Sequence, residues 1–333
     1  MVKPHGKHGR VLLMILITGG LGYLGARIAS HLISQGLAVR LGSSRVCPQI
    51  PVELNSCEIV HTDFMEQASL DNACHGVDTI IHLAGMNAAA CKKNPDKAIN
   101  LKGIGTQRLL LSAKLHSIKR IIYFSTVHVY GAPLSGAINE NTLPRPMHPY
   151  SISHRLAEDL VLEAKDKIDA DCIVFRLSNA VGAPINAKAN CWDLVVNDLC
   201  KQAALNGEMK LNSNRKILRD YVGINYICDV MWQVISDNCI SNLMSGRILN
   251  LSSGESINLG DLVGLIKEHS KTTLGFIPIS NFSKLQNENQ TVDLLNISSS
   301  LQNDFDISSS SDLSYEIKKL LFKCRNWFGK RNL

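Results

Sequence analysis

Residues 11–25 read Val-Leu-Leu-Met-Ile-Leu-Ile-Thr-Gly-Gly-Leu-Gly-Tyr-Leu-Gly. A short apolar run ended by turn residues is the pattern of a strand covered on both faces. Glycines follow at once as Gly20-x-Gly22-x-x-Gly25, the spacing of a dinucleotide-binding turn. Glycine lets the backbone turn sharply and approach a pyrophosphate that a Cβ would hold off. A helix beginning near Tyr23 then points its unpaired N–H groups and positive end at that pyrophosphate. Leu24, Ile28, Leu32 and Ile33 keep a helical period as far as Gly36, and Leu37–Leu41 reads as a second strand. The three pieces make a β-α-β unit, and that context gives the glycines their weight.

The same stretch has a second reading. Lys3, Lys7 and Arg10 precede the apolar run, as in a secretory signal peptide. Only seven apolar residues stand before Thr18, and cleavage near Ala26 would remove the glycine turn, so the two readings exclude each other. Met14 is a plausible alternative start, which makes residues 1–13 an expected disordered extension. No other segment approaches the roughly 20 apolar residues of a membrane span.

A chain of 333 residues can bury a large core. Its net charge of +6 is mild and gathers at the ends, which does not suggest a nucleic-acid partner. The ten cysteines are scattered, with no C-x-x-C pair and no His/Cys metal spacing. They read as reduced thiols in a cytoplasmic protein, and no metal is expected.

Further strands are expected at Cys57–Val60, Thr79–Leu83, Arg120–Phe124, Cys172–Leu177 and Ile248–Leu251, with helices near 66–75, 95–117 and 150–167. The alternation predicts an α/β fold built on a parallel, doubly wound sheet. The division expected is a Rossmann-type nucleotide domain over 14–178 and a smaller lobe over 179–333, from which some segments return to the sheet. Residues 182–247 carry two helical stretches around a loop-rich middle, and 280–311 are rich in Ser and Asn. A basic, amphipathic helix is expected over Asp312–Phe328. It caps the smaller lobe or lies on a membrane surface.

Nine blocks now align in order. Thr18-Gly19-Gly20-Leu21-Gly22-Tyr23-Leu24-Gly25 comes first, and its Gly19-x-x-Gly22-x-x-Gly25 spacing is the short-chain-reductase variant of the fingerprint. Next stand Thr62-Asp63-Phe64, His82-Leu83-Ala84-Gly85, Asn100-Leu101-x-Gly103-x-Gly105-Thr106 and Phe124-Ser125-Thr126-Val127-His128-Val129-Tyr130-Gly131. Pro149-Tyr150-Ser151-Ile152-Ser153-His154, Arg176-Leu177-Ser178-Asn179, Arg219-Asp220-Tyr221-Val222 and Leu249-Asn250-Leu251-x-x-Gly254 complete the series. Together they resemble the extended short-chain dehydrogenases/reductases of the NAD-dependent epimerase/dehydratase family, typified by UDP-galactose 4-epimerase.

The resemblance implies roles. Gly19, Gly22, Tyr23, Leu24 and Gly25 would hold the cofactor's pyrophosphate region. Asp63 and Phe64 would meet adenine, and Leu83, Ala84 and Gly85 the ribose. Asn100 would brace the backbone behind the site. Thr126 and Tyr150 would converge on one substrate oxygen, with tyrosinate taking a hydroxyl proton while hydride leaves carbon for the nicotinamide. A phenol with a pKa near 10 needs help to do so. The family's Y-x-x-x-K lysine provides it and grips the nicotinamide ribose, but here that position is His154, followed by Arg155. A helix keeps i and i+4 on one face, so His154 still reaches Tyr150 and the cofactor. Imidazole, mostly neutral at pH 7, is the weaker aid. Three outcomes are open: His154 substitutes with a shifted pH range, Arg155 brings the charge, or the chain binds cofactor with little turnover.

Cofactor and substrate are partly legible. Strand two ends without the carboxylate that usually binds an NAD ribose diol, and Arg40, Ser43, Ser44 and Arg45 suit a 2′-phosphate. NADP is therefore favoured over NAD. By resemblance, Asn179 and Arg219 lie near a nucleotide sugar's diphosphate, with Arg215 and Lys216 close by, and Asn87 joins Thr126 at the substrate. Val127-His128 follows Thr126 where 4,6-dehydratases carry Asp-Glu or Asp-Lys, so dehydration is disfavoured. Gly223, Asn225 and Tyr226 fall in the block that usually supplies a His and an Asp, which leaves the sugar open. The expected activity is nucleotide-sugar 4-epimerisation or 4-keto-sugar reduction. The alternatives are a cofactor-binding sensor or scaffold, and reduction of a non-nucleotide carbonyl. A homodimer through 95–117 and 150–167 is also implied.

Overall fold

The computed structural model describes residues 13–282, 294–305, 307 and 312–329. The expected extension thus lies almost wholly outside the described residues. Strand β1 (Met14–Thr18) leads through the glycine turn into α1 (Tyr23–Ser34). Then follow β2 (Ala38–Ser43), β3 (Glu58–His61), α2 (Gln67–Cys74) and β4 (Thr79–His82). Helices α3 (Ala88–Lys93) and α4 (Pro95–Asn100) come next, and α5 (Thr106–Leu115) ends at β5 (Arg120–Thr126). Beyond it lie β6 (Gly136–Ile138), α6 (Pro149–Ala164), β7 (Asp171–Leu177), β8 (Asn179–Val181) and α7 (Val195–Asn206). The chain continues through β9 (Glu208–Leu211), β10 (Leu218–Gly223), α8 (Ile224–Ser236), α9 (Asn238–Met244) and β11 (Ile248–Leu251). It closes with β12 (Ser256–Asn258), α10 (Leu259–Thr273), β13 (Ile279–Phe282), β14 (Leu295–Ile297), α11 (Ser300–Phe305) and α12 (Leu313–Phe328).

Seven strands form one parallel sheet in the order β11-β7-β5-β4-β1-β2-β3. The order reverses between β1 and β4, so the loops leaving their C-terminal ends diverge and open a crevice. Apolar side chains of α1 and α8 pack on one face of the sheet, and those of α2, α5 and α6 on the other. Every residue of β5 is buried, as expected of a central strand covered on both sides.

Outside the sheet, sequence periodicity was a poorer guide. Residues 182–247 hold three helices, not two, because a turn at Asp237 caps a short extra helix through its carboxylate. Part of 280–311 is ordered as β14, which pairs with β6, and as α11; residues 283–293 lie outside the described set. The apolar face of α12 is buried against α7 and α10 through Ile317, Leu320, Leu321 and Cys324. That burial removes the face a membrane surface would need. No helix among the described residues is long and apolar enough to cross a membrane.

The helical run 95–115 is interrupted by a π turn over Leu101–Gly105. Two glycines there permit close packing: a Cβ on Gly103 would lie 2.8 Å from Leu156 and one on Gly105 2.9 Å from Phe64. Such turns re-aim side chains. Asn100 is exposed, contrary to its expected place behind the site, whereas Lys102 is only 2% exposed.

Candidate active site

Thr18 ties the two sides of the crevice together. Its hydroxyl contacts Nδ1 of His82 at 2.8 Å and accepts from the backbone N–H groups of Leu83 and Ala84. Gly19 takes a left-handed φ of +66°, and a Cβ there would press on Ala84 at 3.1 Å. A Cβ on Gly25 would meet the Gly19 carbonyl oxygen at 2.5 Å. The turn therefore needs glycine both for its conformation and for the contact of helix with strand. Gly22 caps α1 without a side chain, which leaves N–H groups of the first turn to face the crevice.

The crevice is a cavity of about 830 Å³ lined by Gly19, Gly22, Ser43, Ser44, Arg45 and the Leu83–Gly85 loop. Among the described residues no carboxylate lines it, and a glycine floor below a helix N-terminus fits a dinucleotide. Residues 47–51 and 186–190 also line it, and Lys188 Nζ donates to Gln49 Oε1 at 2.7 Å between them.

Other expected cofactor contacts lie elsewhere. Arg40 pairs with Glu58 at 2.9 Å and donates to the Ala73 and His75 carbonyls, so it is held on the outer strands and does not line the crevice. The Asp63 carboxylate accepts from the Met65 N–H in a local turn, and Phe64 is buried against His82 with ring centroids 5.4 Å apart. Tyr23 donates to the Gly182 carbonyl, locking the glycine turn to the loop after β8, while Leu24 packs into the core.

Thr126 ends β5 and Tyr150 opens α6, where His148 caps the helix by accepting from the Tyr150 N–H. The two hydroxyls meet. Burial pushes the Tyr150 phenol up to about 12, and a hydrogen bond to Thr126 pulls against that rise. His154 lies beneath Tyr150 with ring centroids 4.5 Å apart, and its Nδ1 contacts the Tyr123 hydroxyl at 2.9 Å. Burial and the nearby Lys102 charge hold His154 well below the usual histidine range, so it is neutral at pH 7. Arg155 is turned away, bridging Glu158 and Asp159, and does not bring its charge to Tyr150.

Strand alternation accounts for the next layer. Tyr123 and Ser125 point to the α6 side of β5, where Tyr123 meets His154 and Ser125 donates to buried Glu158. Glu158 in turn receives two hydrogen bonds from buried Arg176, at 3.0 and 2.7 Å. Lys102 was absent from the sequence-based set, yet it stands here, 4.8 Å from the Tyr123 ring centroid. It follows buried Ala98 by four residues and precedes buried Thr106 by four, so helical spacing already placed it inward.

On the substrate side, Arg219 stands close enough to His128 for its charge to lower that imidazole further, after burial. Arg219 thus faces the turn that follows Thr126. The Asn179 side chain donates to the Asp220 carbonyl and links β8 to β10. Asn87 caps α3 by accepting from the Ala90 N–H. The Arg215 guanidinium lies over the Phe282 ring. Asn225 joins α1 to α12 through Arg27 and Glu316, and Tyr226 is buried in the core, so neither replaces the lost His and Asp of its block. Among the described residues no cluster suits a metal.

Comparison with known proteins agrees with this architecture. The model of the "NAD dependent epimerase/dehydratase family" matches residues 15–251. The UDP-glucose 4-epimerase of Halalkalibacterium halodurans is 28% identical over 179 residues, which is 53% of either chain. The chain thus spans about half the length of the curated relatives it matches. A UDP-glucose 4-epimerase crystal structure superposes with a TM-score of 0.81 at 17% identity, over 94% of this chain and 98% of that one. The UDP-glucuronic acid 4-epimerase of Bacillus cereus, in complex with NAD, gives 0.77 at 20% identity over 94% and 97%.

Proposed function

The chain belongs to the NAD-dependent epimerase/dehydratase family, and from that premise we propose that it is a nucleotide-sugar 4-epimerase working through Tyr150. The observation that carries the reading is the Thr126–Tyr150 hydroxyl pair in a chain that also has a glycine-floored crevice. When bound, a nicotinamide cofactor supplies the site that takes up and returns hydride. The glycine turn from Gly19 to Gly25 holds its pyrophosphate, and Leu83–Gly85 form the opposite wall. Tyr150 moves the proton on the sugar's O4, and Thr126 orients that oxygen. Val127 stands directly after Thr126 where dehydratases carry an aspartate, which disfavours dehydration.

Arg219 binds the diphosphate of the substrate, supported by its place opposite the Thr126–His128 turn. Changing Arg219 to Ala is expected to raise KM for a UDP-sugar about tenfold or more with little change in kcat, since one charge-assisted hydrogen bond is lost. Steady-state kinetics test it. An unchanged KM would favour a non-nucleotide carbonyl substrate.

Reduction of a 4-keto sugar by NADPH is the second reading, favoured by Ser43, Ser44 and Arg45 at the crevice. The engagement of Arg40 weakens it. Mass spectrometry of small molecules released on denaturation separates them: stoichiometric NAD⁺ supports the epimerase. An empty site that prefers NADPH supports the reductase. Cofactor binding without turnover of any UDP-sugar or 4-keto sugar would leave the sensor or scaffold role, which the loss of the motif lysine motivates. The exposed Ile99, Ile104, Leu111, Ile152 and Leu156 of the 95–115 run and α6 support a homodimer. Light scattering is expected to give twice the chain mass, and Leu111→Glu to halve it.

A further inference from the structure

We infer that Lys102 supplies the cation that the family's Y-x-x-x-K motif places four residues after the tyrosine, delivering it from the π turn to hold the nicotinamide end of the cofactor. The inference rests on the nicotinamide-binding reading above. Lys102 reaches the crevice wall: a Cβ on Gly85 would lie 2.8 Å from its Cε and 3.1 Å from its Nζ. Gly85 lines the crevice, and glycine is what lets the lysine head approach there. On its other side Lys102 rests over the Tyr123 ring, whose hydroxyl contacts His154 below Tyr150. The lysine therefore stands behind the histidine that took the motif position.

Its surroundings give it no anion. The titratable groups facing it are Cys91, His82, Tyr123 and His154. Burial drives the thiol and phenol up and both imidazoles down, so all four are neutral near pH 7. The Nζ itself is buried with no hydrogen-bond partner among the described residues. An unpaired buried ammonium opposes folding, and a methionine of similar length would not. A side chain that costs the fold and abuts the Gly85 wall of a cofactor crevice is a functional group awaiting its acceptor. The ribose hydroxyls of the nicotinamide half are acceptors of the required kind.

Burial lowers the Lys102 amine to about 7. At pH 8 the free protein then holds it largely neutral, and an acceptor that favours the ammonium makes binding take up a proton. Titration calorimetry with NAD⁺ or NADH, in two buffers of different ionisation heat, reads both affinity and proton uptake. Wild type is expected to take up a proton near pH 8. Lys102→Met is expected to lose that uptake, bind about tenfold or more weakly for one lost charge-assisted bond, and melt at a higher temperature. His154→Lys in the Lys102→Met background is expected to recover affinity. Lys102→Gln provides the same comparison should the methionine variant fold poorly. Equal affinity and equal proton uptake in wild type and the lysine variants would overturn the role of Lys102 and leave the epimerase reading standing. Absence of nicotinamide binding in wild type itself would overturn both.

Discussion

Replacing Tyr150 by Phe is expected to lower turnover about 10³-fold, the middle of the range for a lost general acid–base group. The change removes one oxygen and keeps the ring that lies against His154. Cofactor affinity is therefore expected to stay within about twofold, since no charged bond is lost. The pH dependence has a definite sign. With the phenol pushed up to about 12, the base form is a minority at neutral pH, and abstraction of the sugar proton quickens as pH rises. Rapid-mixing measurement of the first hydride step, across pH, checks both points. A Tyr150→Phe enzyme that turns over at the wild-type rate would move the proton transfer to another residue.

The second large effect concerns stability. Glu158→Leu is expected to lower the unfolding free energy by about 3–5 kcal/mol, because it leaves the Arg176 guanidinium buried without its carboxylate. Both partners are essentially inaccessible and share two hydrogen bonds, so solvent screening offers little relief. The double variant Glu158→Leu/Arg176→Met is expected to regain most of the loss, since two apolar chains replace a desolvated pair. Denaturant unfolding of wild type and both variants measures this. Additive losses in the double variant would show that the pair is not coupled. Ser125 donates to the same carboxylate one residue before Thr126, so Glu158→Leu also loosens the strand end that holds the site.

The central sheet was legible because parallel strands buried on both faces are continuous apolar runs, and all seven fell within a few residues of their expected places. The glycine turn was legible because its backbone demands glycine, whereas the Thr126–Tyr150 pair was legible only through the family resemblance. Arg40 misled because its partner is not local. Glu58 stands directly across from it on β3, and strand registry cannot be read from one strand alone. Lys102 was hidden by its charge. A lysine on a helix reads as solvent-facing, although its spacing of four residues from buried Ala98 and from buried Thr106 already pointed inward. Helix α7 packs against α12, more than a hundred residues away, and no local period records that contact.

One exposed hydrogen bond, from Lys188 to Gln49, joins two segments that line the crevice. Such a bond contributes about 1 kcal/mol, a factor of about five between joined and parted. A bond of that strength cannot by itself set a long residence time. A dinucleotide retained through many catalytic cycles must be held from the inside, by the glycine turn and the groups behind Gly85.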